Sequence, residues 1–392
     1  MSTSEVSGDV SGEVSGVEIE LVDVVKRYPG QERAAVEGLN LTIPAGETVM
    51  FVGPSGCGKT TSLKMINRLI EPTSGTITIG GKDVRRQDAD ELRRGIGYVI
   101  QGGSLFPHMT VAANIALVPK MLGWSSARVE ERVDELLDLV SLDAGQYRDR
   151  YPRELSGGQQ QRVGVARGLA ADPPVILMDE PFGAVDPITR QRLQDELMSI
   201  QAELRKTIVC VTHDIDEAVK LGDRILILRE GAHVAQYDTP ENILAAPANR
   251  FVEDFVGAGS ALKQLTLTRV SEVEMRPTTT AVVGEPSAEV LRRAEQAGDT
   301  AVVVLDERRR PRDWVWLRDI ADHDRVPPPR TEEILGVDRR ATLNDALDDM
   351  LTSSHGGAIV TGQREEYLGV VDFAAVTAQI QRQTEQAEAA TR

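Results

Sequence analysis

The run Gly53-Pro54-Ser55-Gly56-Cys57-Gly58-Lys59-Thr60-Thr61 leaves its surroundings little choice of fold. It fits the phosphate-binding loop pattern, follows a strand candidate at Glu47–Val52 and opens a helix candidate at Thr60–Leu69. Its glycines let backbone N–H groups converge on the β- and γ-phosphates of a nucleotide, and the helix N-terminus adds partial positive charge. Lys59 can reach the outer phosphates as a point charge, and the Thr60 hydroxyl can ligate Mg²⁺. Cys57 is a small side chain within the loop and receives no catalytic role.

The flanking pattern is that of an α/β domain. Val17, Ile19 and Leu21 alternate with Glu18, Glu20 and Val22, as in a half-buried strand. Further strands are expected at Gly75–Ile79, Gly97–Ile100, Val175–Met178, Thr207–Val211 and Arg224–Leu228. Helices are expected at Ser126–Val140 and Thr189–Arg205. Such alternation predicts a mainly parallel sheet. From about Gly103 to Arg153 it gives way to a helix-rich insertion, so a helical subdomain is expected over about 103–160.

Two weakly similar units follow Ser260. In one, a helix candidate Ala288–Ala297 precedes strands Ala301–Leu305 and Trp314–Leu317; in the other, Leu343–Leu351 precedes Ala358–Val360 and Leu368–Val371. The proline-rich stretch Val326–Arg330 separates them, since three consecutive prolines cannot continue a helix or a central strand. The expected division is an acidic disordered tail over 1–16, a domain carrying the phosphate-binding loop over 17–260, a small α+β tandem domain over 261–380 and a polar tail over 381–392. That accords with 392 residues, too many for one ordinary core.

Composition removes several function classes. The 44 basic against 61 acidic residues, net −17, speak against a dedicated nucleic-acid binder. Apolar runs such as Ala301–Leu305 fall far short of the roughly 18 residues of a membrane span. Cys57 and Cys210 lack the spacing of a disulfide framework or a zinc site and are expected to be reduced thiols. The first residues have neither a basic region nor an apolar stretch, so no secretory signal is expected.

A second chemical motif lies downstream. Val175-Ile176-Leu177-Met178-Asp179-Glu180 is an apolar strand ending in two carboxylates, one suited to the Mg²⁺ sphere and one to polarising a water in line with the γ-phosphate. Four further elements accompany it: Leu155-Ser156-Gly157-Gly158-Gln159-Gln160-Gln161-Arg162, Gln101 after one strand, Asp186 after Glu180, and His213 after another strand. In this order they resemble the ATP-binding subunits of ABC transporters, over roughly residues 18 to 240.

The resemblance implies a P-loop NTPase fold with a parallel-sheet core, an antiparallel β part and a helical subdomain. It also implies ATP and Mg²⁺ as cofactors. Gly53, Pro54, Ser55, Gly56, Cys57, Gly58, Lys59, Thr60 and Thr61 would hold the phosphates. Tyr28 would stack on adenine; Thr60, Gln101 and Asp179 would hold the metal. Glu180 would be the general base, with His213 at the γ-phosphate and Gln101 sensing the attacking water. Ser156, Gly157, Gly158 and Gln159 would bind the nucleotide held by a second copy of the chain, and Asp186 would cross that interface. Gly183-Ala184-Val185-Asp186 stands where the family more often has Ser-Ala-Leu-Asp.

Glu180-Pro181-Phe182 and Leu105–Val111 look like the prokaryotic importer branch, while 62–70, 97–101 and 114–119 resemble subunits energising uptake of glycine betaine, carnitine, choline or proline betaine. This implies a separate membrane permease, an extracytoplasmic solute-binding protein and a place on the cytoplasmic face of the membrane. Another solute (a sugar, amino acid or polyamine) and a soluble ABC ATPase acting on nucleic acid are the rivals. The C-terminal repeat resembles paired cystathionine-β-synthase (CBS) modules, used as sensors in several such importers. Asp319 falls at a ribose-binding aspartate position, but Trp316 replaces the hydroxyl before it; Asp372 falls near the hydroxyl position of the second unit, and Ala375 replaces its aspartate. An adenine-nucleotide sensor and a structural or dimerising role both stay open. Arg308-Arg309-Arg310 reads as a solvated turn or as a contact for an anionic surface.

Overall fold

The computed structural model describes residues 16–100, 105–183, 185–257, 263–329 and 335–390, with side chains at all but 203, 204 and 383–390. Residues 1–15 of the expected N-terminal tail, Gln101 and the boundary at Ser260 lie outside the described residues, whereas Gly16, the last residue of that tail, is held by its N–H donating to the Arg205 carbonyl at 3.0 Å. The chain divides into two compact units, the first ending at Phe255, with Leu244–Ala246 falling in the second.

The first unit opens with β1 (Ile19–Lys26), β2 (Val36–Ile43) and β3 (Thr48–Val52), then α1 (Lys59–Ile66). β4 (Ser74–Ile79), β5 (Lys82–Asp83), α2 (Ala89–Arg94) and β6 (Ile96–Val99) follow. The helical stretch holds α3 (Val111–Ile115), α4 (Leu117–Met121), α5 (Ser126–Leu139), α6 (Ala144–Tyr147) and α7 (Gly157–Leu169). β7 (Val175–Asp179), α8 (Pro187–Leu204), β8 (Thr207–Val211), α9 (Ile215–Leu221), β9 (Arg224–Arg229) and β10 (His233–Asp238) complete the sheet-bearing part.

Two sheets form. One is antiparallel, in order β2-β1-β4-β5; the other runs β10-β9-β3-β8-β7-β6 and is parallel except for β10 at its edge. β3 and β8 are buried along their whole length, as parallel strands covered on both faces must be. Ile19, Leu21, Leu39, Leu41 and Ile43 from the antiparallel sheet meet Val49, Phe51, Leu63, Met65 and Val209 in one core. β2, β5 and β10 were not among the expected strands. α1 stops at Ile66, short of the expected Leu69, because Arg68 takes a left-handed φ of 48°. α8 starts earlier than expected, at Pro187, where the missing N–H costs nothing in the first turn and Asp186 caps it.

The second unit contains two copies of one arrangement. β11 (Thr280–Val282), the helix Ser287–Ala297, β12 (Ala301–Leu305), β13 (Pro311–Trp316) and the helix Leu317–Ala321 make the first. β14 (Val337–Asp338), the helix Leu343–Thr352, β15 (Gly357–Thr361), β16 (Tyr367–Asp372) and the helix Phe373–Ala390 make the second. Each three-stranded sheet has a parallel pair and an antiparallel pair. Leu317 begins a helix rather than ending the strand expected at Trp314–Leu317. In the arginine run, Arg310 pairs with Asp306 and Glu365, which closes the turn between β12 and β13.

At the amino-terminal edge of the parallel sheet the Lys206 ammonium, almost fully buried, meets Asp172 at 2.9 Å. Taking one carboxylate partner from a buried cation costs stability, because the ammonium's desolvation penalty stays while part of its compensation goes. Asp172→Asn should therefore destabilise the first unit by about 2 kcal/mol, less than a fully buried pair because Asp172 is partly exposed. Lys206→Met should be close to neutral; denaturant unfolding of the full chain measures both.

Candidate functional site

The carboxyl ends of β3, β7 and β8 lie side by side, and the segments that leave these strands build the site. After β3 the backbone turns through Gly53, Gly56 and Gly58 at φ of 148°, 80° and 111°, conformations that other residues rarely adopt. At Gly53 a Cβ would stand 2.3 Å from the Leu228 carbonyl oxygen, and at Gly58 one would stand 2.6 Å from that of Ala35. The loop is thus pressed between β9 and the β1–β2 connection. The Ala232 N–H donates to the Cys57 carbonyl at 2.7 Å and ties it down from a third side.

Lys59 folds back over this loop. Its buried ammonium donates to the carbonyls of Gly53 at 2.6 Å and Pro54 at 2.9 Å and lies 3.7 Å from the Cys57 sulfur. The next residue reaches the other motif: the Thr60 hydroxyl donates to Asp179 Oδ1 at 2.9 Å. Asp179 is half-buried, and that burial pushes its carboxyl above the usual range, against the pull of the Thr60 hydrogen bond and the Lys64 charge.

Glu180 leaves β7 with a left-handed φ of 46° while its N–H donates to the Val211 carbonyl at 2.9 Å. A glutamate in this conformation is strained, and the kink sets its carboxylate apart from that of Asp179. Its Oε1 meets His213 Nδ1 at 3.3 Å, so the expected general base and the expected γ-phosphate histidine form one cluster. His213 is largely exposed, open to a ligand.

The remaining expected residues stand apart from that cluster. Tyr28, half-buried, lies in the β1–β2 connection with the Lys26 ammonium 5.2 Å from its ring. Ser156 caps α7: its hydroxyl accepts from the Gln159 N–H while Gln159 Oε1 accepts from the Ser156 N–H. Gln159 also donates to the Tyr147 hydroxyl at 3.2 Å. Ser156 and Gly157 are exposed, so the amino end of this helix faces outward. Asp186 caps α8 by accepting from the Thr189 N–H, which holds its carboxylate below the ordinary range. Gln101 is not described.

Tyr98 was missed. On β6, its phenol is driven up to about 12, by burial first and then by the neighbouring Asp179 charge. Nothing in Gly97-Tyr98-Val99 marks it beyond a strand aromatic. Asn114 was also missed as a positioning residue. Fully buried, it accepts from the Phe106 N–H at 2.8 Å and donates to the Phe106, Met109 and Thr110 carbonyls, which shapes an exposed loop.

The donor set fits Mg²⁺. Thr60 and Asp179 already place two oxygens together, and Mg²⁺ commonly takes one or two protein oxygens alongside phosphate and water. Among the described residues no cluster of three or more His, Cys, Asp or Glu offers a closed metal cage. A cavity of about 500 Å³ bordered by Gly46, Thr48, Arg205 and Asp223 lies at the opposite, amino-terminal edge of the sheet and takes no part.

The profile of the ABC transporter family matches residues 36–183. An osmoprotectant import ATP-binding protein, OsmV, of Salmonella typhimurium is 50% identical over 305 residues, 77% of this chain and 80% of that protein. A glycine betaine/carnitine/choline transport ATP-binding protein, OpuCA, of Bacillus subtilis is 44% identical over 364 residues, 91% of this chain and 95% of the relative. Among solved structures, the dimeric ATP-binding cassette MJ0796 in a post-hydrolysis state with ADP and Pi is 38% identical, with a TM-score of 0.53, covering 57% of this chain and 98% of its own. The chain belongs to the ATP-binding proteins of ABC transporters, and it binds and hydrolyses ATP.

Proposed function

We propose that this protein is the ATP-hydrolysing subunit that energises import of a quaternary-amine osmoprotectant, of the glycine betaine, carnitine and choline class, through a separate membrane permease. The observation that carries the reading is the extent of the likeness to the glycine betaine/carnitine/choline protein, 44% identity across 91% of the chain and hence into the second unit. No helix of the described residues is long and apolar enough to cross a membrane, in keeping with a pathway supplied by partner subunits. A solute-binding protein outside the cytoplasmic membrane would deliver the solute, and this chain would dock on the cytoplasmic face.

Hydrolysis would proceed between two copies. The phosphate loop of one copy holds the nucleotide through its backbone N–H groups and Lys59, and the adenine stacks on Tyr28. The outward-facing Ser156–Gln159 of the other copy caps the γ-phosphate, the positive end of α7 favouring that charge. Asp186 lies at the crossing between the copies. Thr60, Asp179 and Gln101 would hold Mg²⁺, which when bound would neutralise charge on the phosphates. Glu180 takes the proton of the attacking water, and His213, hydrogen-bonded to it, holds that carboxylate in place and reaches the γ-phosphate.

The loop shaped by Asn114, with Phe106 exposed at its end, is the surface that would pass closure to the permease. The second unit, with its repeated strand-helix-strand-strand-helix order, would be a CBS-like regulatory domain.

Glu180→Gln should lower the hydrolysis rate about 10²- to 10⁴-fold while leaving ATP binding intact; wild-type turnover would remove Glu180 as the base. Lys59→Ala should abolish tight ATP binding, measured by nucleotide titration. In the complex reconstituted with permease and solute-binding protein, glycine betaine or choline should stimulate hydrolysis, whereas stimulation by a polyamine instead would reassign the solute. Asn114→Ala should leave basal hydrolysis in place and lower that stimulation.

A further inference from the structure

Two of the three tryptophans, Trp314 and Trp316, stand two residues apart on β13 and so project from the same face. Between them lies the imidazole of His355, from the turn after the helix Leu343–Thr352. Its centroid is 4.6 Å from each indole, with interplanar angles of 7° and 24°. Local contacts to hydroxyls hold this turn: Ser354 Oγ is 3.2 Å from Nδ1, and the His355 N–H donates to Ser353 Oγ at 3.2 Å. His355 and Trp314 also border a cavity of about 320 Å³ that Asp349, Thr352, Ser353 and Ser354 help to line. Neither Lys nor Arg is among the described residues lining it. Burial pushes the Asp349 carboxyl above its usual range.

A cation in place of the imidazole would lie 4.6 Å from both indole centroids. That is inside the roughly 6 Å over which an aromatic face attracts an ammonium. The two indoles offer faces rather than hydrogen-bond acceptors, which suits a group that presents only C–H to its surroundings. A primary ammonium would leave its N–H donors unpaired there. Asp349, across the adjoining cavity, favours a molecule of net positive charge, and the hydroxyls of Thr352 and Ser353 can meet a polar tail.

We propose that the slot between Trp314 and Trp316 is a binding site for a quaternary ammonium cation of the choline kind, entered from the Asp349 cavity, with His355 as its displaceable occupant. A zwitterion would bring its own carboxylate against Asp349 and binds more weakly. The chemical class comes from the slot itself; that its occupant is the imported solute, monitored from inside the cell, rests on the import reading above. Because Trp314 and Trp316 belong to the first repeat and His355 to the second, exchange of the imidazole for a ligand changes a contact between the two repeats.

The test is a tryptophan-fluorescence titration of the full-length chain with choline chloride, against sodium chloride at equal ionic strength, with Trp124→Phe as background to isolate the pair. Choline should give a saturable change, with glycine betaine at least about tenfold weaker. Trp316→Leu should weaken choline by at least about tenfold. Asp349→Asn should weaken choline several-fold and narrow its margin over betaine. His355→Ala should tighten choline, because it removes a competitor; a histidine of purely structural role would give no tightening. A response no larger than that to sodium chloride, equal affinity in Trp316→Leu, or betaine binding as tightly as choline overturns the proposal. If His355→Ala lowers the melting temperature, the Asp349→Asn arm decides. Solute-stimulated hydrolysis in the reconstituted complex is read separately. Its absence with choline binding intact removes the import reading alone, and its presence without choline binding removes the slot alone.

Discussion

The close approach of three backbone segments at Gly53 and Gly58 is the constraint on which the rest of the first unit depends. With Leu228 and Ala35 carbonyls standing where side chains would go, the loop cannot relax away from the carboxyl ends of β3 and β9. The register of β9, β3, β8 and β7 is set by this, because each must end at the same level for Leu228, Asp179 and Val211 to meet the loop and one another. The antiparallel sheet serves the same end: it covers the outer face of β3 and carries Ala35 on its connection.

Two adjacent carboxylates receive different tasks from different backbones. Asp179 is the last residue of a regular strand and stays half-buried beside Thr60 and Tyr98. Glu180 is turned away by its left-handed φ and meets His213 instead. Without the kink, successive residues of a strand would simply point to opposite faces. The strain is held by the hydrogen bond from the Glu180 N–H to Val211, one strand over, so β8 sets the direction of the expected base.

How far the structure is legible in the sequence depends on whether the signal is local. The phosphate loop, the Asp179-Glu180 strand end and the Ser156 helix start each carry their chemistry within a few consecutive residues, and their flanking elements announce them. β2 gives no such notice: Gly38 at φ 67° interrupts it, and its pairing with β1 shifts register twice, so its alternation is broken. β5 and β14 are two residues long and exist only through their partners. Tyr98 acquires its character from Asp179 on a neighbouring strand, and His355 lies between tryptophans some forty positions earlier, a juxtaposition that only tertiary packing creates.

The continuous apolar runs Ala301–Leu305 and Gly357–Thr361 have a physical reason in the second unit. Val302 and Val304 face the helices of their own repeat, while Val303 and Leu305 turn the other way and pack with Ile359 and Val370 of the second repeat. Ala358 and Val360 likewise fill the second repeat's own core. Each three-stranded sheet is therefore covered on both faces, one by its helices and one by the other sheet, which explains strands without polar alternation. A repeat this small buries too little surface to be stable alone, and the shared layer supplies what each lacks. Trp314 packs at the edge of that layer and also stacks on His355, so the aromatic stack is continuous with the contact that makes the two repeats one body. A change at the stack consequently acts on the packing between the repeats rather than on either core.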